Sequence, residues 1–585
     1  MSQRSKLQKK WIIWLVVIIV MVYMVIMIDL YRTQLGFNNK SKNYSRKPQT
    51  FSNTVYAVRG NIFDRNLENP TVLATSTPQW KVFLDPSMIN TNTTDDVLFE
   101  ALASWNELPV ENINKGLKKD RSSKYVVLGQ TTNRDFVEHL RTNSITRKCV
   151  GFESSFVRKY PMGNFLNPVL GIVNSHGESI MGLEYEYNRH LVGTNGFIEG
   201  VTDAKRKELR LLRTKEVKPT NGNDIYLTIS TFIQKTAEDI LVRTMATNNA
   251  ERGWIVVQRP YTGEILAMAS YPTFTRENYG NEDEELRRNN VTSFNFEPGS
   301  IMKAMIFSLG LEELHCTTNQ VFDCRDRLFF GRRLSDHVKD EETFASALAK
   351  SSNRASSIIA MTTTKKRMEE YIKAYGFCEK TGIIRIGEEK GILSPHKKWS
   401  DLQFIRIAIG QGISVTPIQM IGMYSTIANG GVRMKPYLIR EIHSPTGEVI
   451  LKNEPKRIGR VISKENAKIM AQLLVGVTDR SIGGTGHRAR IPGYSVAGKT
   501  GTAQKSINGG YSQTDYTGSF VGFFPAENPE VTILVGFDNP KPKYQGGTVA
   551  APVFSELGKA IADYLNIPTN TDNVHNIYNY IDMNK

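Results

Sequence analysis

The 585-residue chain contains no His-Glu-x-x-His and no Cys-x-x-Cys, so two common metal-ligand spacings are missing and no metal site is expected. Cysteine is scarce. Cys149, Cys316, Cys324 and Cys378 are too few for a disulfide framework in a chain of this length. Cys316 and Cys324 are near enough in sequence to pair, and closing so short a loop would contribute roughly 2–3 kcal/mol. Cys149 and Cys378 read as lone small apolar residues. Long apolar runs are confined to one, Trp11 to Ile28, which carries no charge and is long enough to span a bilayer. No small-x-small cleavage site follows it, so a retained anchor is expected rather than a cleaved signal. Arg4, Lys6, Lys9 and Lys10 precede the run, which predicts a cytoplasmic N-terminus and everything after Asp29 on the far side.

What is abundant is positive charge, with 74 Lys and Arg against 58 Asp and Glu and a formal net charge of +16. Beyond a membrane an anionic polymer on the far side is a better candidate neighbour than nucleic acid, and a plain solvated basic surface explains the excess better than either. The length predicts two or more domains. Residues 1–10 read as a cytoplasmic tail, 11–28 as the transmembrane helix, and 29–220 as an α+β segment that begins with a basic linker. Residues 221–565 read as an α/β domain and 566–585 as an Asn-rich tail. Within the α/β domain, Ile225–Ile229 reads as a strand, Thr231 to about Met245 as a helix, and the runs around Tyr261-Thr-Gly263 as a hairpin. Strands return from Gly498 to Asp538, so one sheet is expected to collect both ends of the segment.

The stretch Phe296-Glu-Pro-Gly-Ser-Ile-Met-Lys-Ala-Met305 poses a chemical question. Ser300 reads as the N-cap of an apolar helix whose only charge before Glu312 is Lys303. Desolvating an ammonium is costly, so Lys303 either snorkels to an edge or is held near Ser300 for chemistry. Residues three apart on a helix share a face, and a lysine in an apolar setting has its pKa lowered, so it can take a serine proton. Ser-x-x-Lys alone is weak, because Ser394-Pro-His-Lys397 matches too. Lys-Thr-Gly occurs at Lys380–Gly382 and at Lys499–Gly501, and only the second sits among the small residues of a strand that admits a substrate backbone. Ser351-Ser-Asn353 lies between the other two elements.

The ordered set Ser300-x-x-Lys303, Ser351-x-Asn353, Lys499-Thr-Gly501 resembles the three-motif signature of penicillin-binding proteins and serine β-lactamases. Arg59–Arg65, Arg158–Pro161, Gly182–Glu184, Glu297–Gly299, Ser519–Phe523 and Gly546–Val553 extend the likeness to the class B penicillin-binding proteins. The resemblance implies an α/β transpeptidase domain of the penicillin-binding/serine β-lactamase type on an elongated α+β pedestal, with one N-terminal transmembrane helix. It also implies a serine D,D-transpeptidase that cross-links peptidoglycan stem peptides from lipid-linked precursor strands, is a target of β-lactams, and needs no cofactor. Carried over, Ser300 is the nucleophile and Lys303 its base, while Ser351 and Asn353 relay the proton and hold the substrate amide. Lys499 and Thr500 bind the terminal carboxylate, Gly501 gives clearance, and the backbone N–H groups of Ser300 and Thr502 form the oxyanion hole.

The run Tyr516–Pro525 and the Phe-Glu-Pro-Gly-Ser form resemble the division branch, which implies a polytopic glycosyltransferase of the shape, elongation, division and sporulation family, and other division proteins, as partners. Two departures stand out: Leu67 and an insertion before Leu73-Ala74, and Cys378 where a glycine is common. The alternatives are an elongation-type enzyme, a D,D-carboxypeptidase or β-lactam sensor, and a silent division scaffold. A bifunctional glycosyltransferase has no room before residue 220. An α/β-hydrolase built on Gly493-Tyr-Ser-Val-Ala497 would find only His575 downstream.

Overall fold

The computed structural model describes residues 3–45, 49–89, 94–202, 209–507 and 510–569, and divides the chain into two compact units. Met1–Ala57 and Gly193–Asn221 form the first. Its helix runs from Gln3 to Ser45, and the stretch Lys9–Arg32 is long and apolar enough to cross a membrane. The basic segment expected as a linker is therefore helical through Ser45, because no proline or glycine pair interrupts it. A three-stranded antiparallel sheet of Gln49–Val55, Gly196–Thr202 and Lys215–Val217 completes this unit.

The second unit, Val58–Val192 with Gly222–Lys585, contains two large sheets. One is mixed and joins residues on both sides of position 220: Ile225 pairs with Ile62 in parallel and with Ile442 antiparallel. The early motifs meet beside it. Arg59 Nε donates to Glu184 Oε2 at 2.7 Å, and Arg158 Nε donates to Glu184 Oε1 at 2.6 Å. Arg158 also reaches the Gly60 carbonyl at 2.7 Å, and the Glu184 side chain is fully buried. One carboxylate thus holds two guanidinium groups, an arrangement in which removing any member strands a buried charge. The insertion after Asn66 closes as a turn, with Asp64 Oδ1 accepting from Thr71 N at 3.0 Å and Asn66 Oδ1 from Glu68 N at 3.2 Å.

The other sheet is antiparallel, in the order Ile265–Tyr271, Arg252–Gln258, Val531–Asp538, Gly510–Phe524, Ala497–Ile507. Strands from both ends of the segment do pair, since Trp254 faces Gly536 across the ladder. All eight residues of Val531–Asp538 are buried, because helices cover both faces. Thr231–Asn248 and Ala551–Leu565 pack on one side in a core with Ile533, Val535 and Phe537. On the other side lies the larger core around helix Lys303–Glu313, whose residues Lys303 to Leu311 are all buried. Each large apolar side chain buried there contributes about 1.5–3 kcal/mol. Ala497–Ile507 is the edge strand, hydrogen-bonded to a neighbour on one side only.

All four cysteines are free. Cys324 is drawn under Ser352, whose hydroxyl lies 3.4 Å from its sulfur, while Cys316 follows the end of the central helix. Cys378 adopts φ +66°, the left-handed region that explains why glycine suits this position better. Of the Asn-rich tail only residues to Thr569 are described; 570–585 and His575 lie outside the described residues.

Candidate active site

The serine is set by a clamped turn. Phe296 and Val415 exchange backbone hydrogen bonds, Gly299 N donates to Gly410 O at 3.0 Å, and Gly412 N donates to Glu297 Oε1 at 3.0 Å. Gly299 takes φ +55°, and a Cβ there would stand 3.0 Å from Ala503 Cβ on the edge strand. Ser300 then falls inside a 3-10 turn, Gly299–Met302, that leads into the helix Lys303–Glu313. It is not the N-cap: Pro298 occupies that position and makes no side-chain cap. The tighter turn leaves the Ser300 hydroxyl out of the helix's own amide bonding, half-buried at the helix mouth.

Lys303 opens the α-helix and is 1% exposed. Its ammonium donates to the Ser351 carbonyl at 2.5 Å and to Ser351 Oγ at 3.1 Å. Burial pushes its pKa down to about 7, with the Asp336 carboxylate opposing. Ser351 sits at φ +60° in the sharp turn between helices Phe344–Ala349 and Asn353–Met361, and that conformation aims both its carbonyl and its hydroxyl at the amine. Ser352 caps the second helix through Ala355 N at 3.1 Å.

Lys499 arrives from the opposite wall. On the edge strand and fully buried, it donates to Ser351 Oγ at 2.9 Å. Its pKa falls well below the ordinary lysine value, through burial first and then through repulsion by Lys303. Two lysine amines therefore share one hydroxyl, and burial together with their mutual repulsion favours loss of a proton from the pair. Lys303 follows Ser300 by three residues, and the hydrogen bonds of its amine run to Ser351 rather than to the Ser300 hydroxyl.

The remaining residues occupy separate places around this centre. Thr500 Oγ1 lies 2.7 Å from Thr485 Oγ1, and Thr502 Oγ1 accepts from Gly546 N at 3.2 Å. A Cβ on Gly501 would come within 2.4 Å of Ser519 Oγ and 3.0 Å of Ile301 Cγ2, so glycine lets the serine's turn lie against the strand. Asn353 Nδ2 is committed to the Ser335 carbonyl at 2.6 Å rather than to either lysine. The free edge of Ala497–Ile507 leaves backbone groups for an extended peptide to pair with.

The duplicate motifs separate cleanly. Lys397 is exposed, and Ser394 Oγ accepts from Gln403 at 3.2 Å with no buried amine at hand among the described residues. Lys380 is exposed, and Thr381 locks a loop onto Glu388 through N and Oγ1, both at 2.6 Å. Ser495 donates to Glu527 inside the fold.

Comparison with known proteins follows the same outline. The family described as "Penicillin binding protein transpeptidase domain" matches residues 253–559, and that described as "Penicillin-binding Protein dimerisation domain" matches residues 54–227. Stage V sporulation protein D of Bacillus subtilis is 30% identical over 94% of this chain and 83% of its own length. A peptidoglycan D,D-transpeptidase FtsI of Buchnera aphidicola is 30% identical over 92% of each. The chain belongs to the class B penicillin-binding proteins. Among solved structures, penicillin-binding protein 3 of Mycobacterium tuberculosis in complex with aztreonam superposes with a TM-score of 0.68 at 25% identity, covering 88% of this chain and 98% of that one. Penicillin-binding protein 2X of Streptococcus thermophilus shares the fold, with a TM-score of 0.74 at 23% identity over 88% and 80% of the two chains.

In this class B protein three nearby residues escaped the motif reading: Ser335, Asp336 and Thr485. Asp336 Oδ2 accepts from Ser352 Oγ at 2.7 Å and Arg354 N at 2.8 Å, so it braces the turn that presents Ser351. No spacing rule marks it, since it reaches the motif through a loop fifteen residues upstream of Ser351. If the neutral amine limits acylation, the penicillin acylation rate rises with pH through a midpoint near 7, where the lowered lysine pKa lies. One unit below that midpoint it falls to about a tenth of the plateau. Asp336→Asn removes the charge that favours the ammonium, so the midpoint moves to lower pH while the plateau persists. Stopped-flow acylation between pH 5 and 9 reads both; a midpoint that stays put or rises contradicts the assignment.

Proposed function

We propose that this chain is a membrane-anchored serine D,D-transpeptidase that cross-links peptidoglycan stem peptides during septal wall synthesis. The observation that supports it is the meeting of Lys303, three residues after Ser300, and Lys499 on the Ser351 hydroxyl. In this reading neutral Lys303 takes the Ser300 proton as Oγ attacks the carbonyl of the penultimate D-Ala. Ser351 carries a proton between the lysines and the departing D-Ala amine, and Lys499 with Thr500 holds the terminal carboxylate. The N–H groups of Ser300 and Thr502 receive the oxyanion, and Asn353 orients the donor peptide. An amine from a second strand then resolves the acyl-enzyme. β-Lactams acylate the same serine, and no cofactor takes part. In this reading the basic residues ahead of Trp11 keep the N-terminus in the cytoplasm, and the chain after Asp29 lies outside. A polytopic glycosyltransferase of the shape, elongation, division and sporulation family and other division proteins are its expected partners.

Penicillin labelling tests the chemistry. Peptide mapping of the adduct places it on Ser300, and Ser300→Ala abolishes labelling; an adduct on Ser394 refutes the assignment.

The septal role rests on the likeness to the division branch. A second reading, wall synthesis during sporulation, is favoured by the Bacillus relative. Depletion from a growing rod-shaped host gives filaments if the role is septal. Swollen cells that still divide assign it to elongation, and normal division with defective spores assigns it to sporulation.

A further inference from the structure

Outside the catalytic centre, a cavity of about 670 Å3 lies between helices Phe344–Ala349 and Lys464–Val477 and the loop that follows the second helix. Its lining is rich in hydroxyl and amide groups, with Thr318, Thr343, Ser346, Gln472 and Ser481, and it includes the Lys350 ammonium. Ile469 and Leu473 supply apolar surface. A hydroxyl both donates and accepts, so such a wall suits a run of peptide groups, and an ammonium suits a carboxylate. Lys350 donates to Glu342 at 2.7 Å and has further donors to offer.

The cavity is tied to both catalytic walls. Lys350 directly precedes Ser351, and the lining residues Ser481 to Gly483 lead into Thr485, whose hydroxyl meets that of Thr500. A Cβ on Gly483 would lie 3.6 Å from Lys350 Cγ and Cε, so the two segments touch. On the transpeptidase reading, this flank is the one from which the first amine departs. With the terminal carboxylate on Lys499 and Thr500, the released D-Ala leaves past Thr500, Thr485 and Ser351. By microscopic reversibility the amine that replaces it comes in along the same path.

We propose that this cavity is the subsite for the second stem peptide, the one that carries the attacking amine. The assignment rests on the transpeptidase reading and extends it to the acceptor strand. The acceptor nitrogen, neutral and with its lone pair free, adds to the ester carbonyl carbon of the acyl-enzyme. The bond from that carbon to Ser300 Oγ then breaks, and one proton of the nitrogen ends on Ser300 Oγ. An amide and a free serine result, with no further reactant. Water gains nothing from the cavity, whereas a peptide held there presents its amine at high effective concentration.

The test uses the detergent-solubilised full chain, a thioester analogue of the donor stem, and two acceptors: free D-alanine, too small to engage the cavity, and a stem peptide bearing its side-chain amine. Gln472→Trp fills the cavity, and Lys350→Ala removes its ammonium. Penicillin labelling, which needs no second substrate, controls for folding and for the donor half-reaction. Expected is aminolysis by D-alanine within about twofold of wild type, while aminolysis by the stem peptide falls about tenfold, the loss of one charge-assisted contact. Should Gln472→Trp lose labelling through misfolding, Lys350→Ala decides. Wild-type aminolysis by the stem peptide in labelled variants overturns the proposal, as does an equal fall with both acceptors. Failure of the wild-type chain to take up penicillin would instead refute the transpeptidase reading.

Discussion

Two buried lysine amines and one half-buried serine hydroxyl govern the whole arrangement. Lys303 and Lys499 approach Ser351 Oγ from a helix and from a strand, at 3.1 and 2.9 Å. Buried ammonium groups repel each other strongly where little solvent screens them, so the space tolerates one charge far better than two. Stability and chemistry pull in the same direction here. The burial that holds the pair together also favours the proton loss that makes a base.

Holding that geometry takes much of the second unit. The edge strand fixes Lys499 through its register with Gly510–Phe524, where Lys499 faces Val521. The central helix fixes Lys303, and its burial from Lys303 to Leu311 leaves the amine no route to solvent. Tyr424 steadies the first turn by donating to the Ile301 carbonyl at 2.8 Å. Ser351 is presented by a left-handed turn that Asp336 braces from outside. Each support is ordinary packing or hydrogen bonding. Together they keep a costly pair of charges within reach of one oxygen.

The chemistry was legible in the sequence because a lysine alone in an apolar helix is expensive and so invites an explanation. The duplicate Lys380-Thr-Gly382 and Ser394–Lys397 could be set aside from their surroundings, and their exposed lysines agree. The motifs carry the family likeness, and the strand and helix patterns imply one sheet that collects both ends of the 221–565 segment. Other features were not legible. Ser300 looks like a cap because serine before an apolar run usually is one, yet Pro298-Gly299 starts a tighter turn. The basic stretch before Ser45 reads as a linker because its charges resemble a solvated connection, yet it continues the helix. The mixed sheet that crosses position 220 depends on pairing between distant segments, which local patterns do not carry. Asp336 and Thr485 act through tertiary contacts made by loops without a spacing rule.

Neutron diffraction from deuterated crystals of the unacylated protein near neutral pD tests the shared-proton account most directly, because it counts the deuterons on each lysine nitrogen. The account predicts that one of Lys303 and Lys499 carries two deuterons and the other three, with Ser351 Oγ between them. Three deuterons on both nitrogens would contradict it.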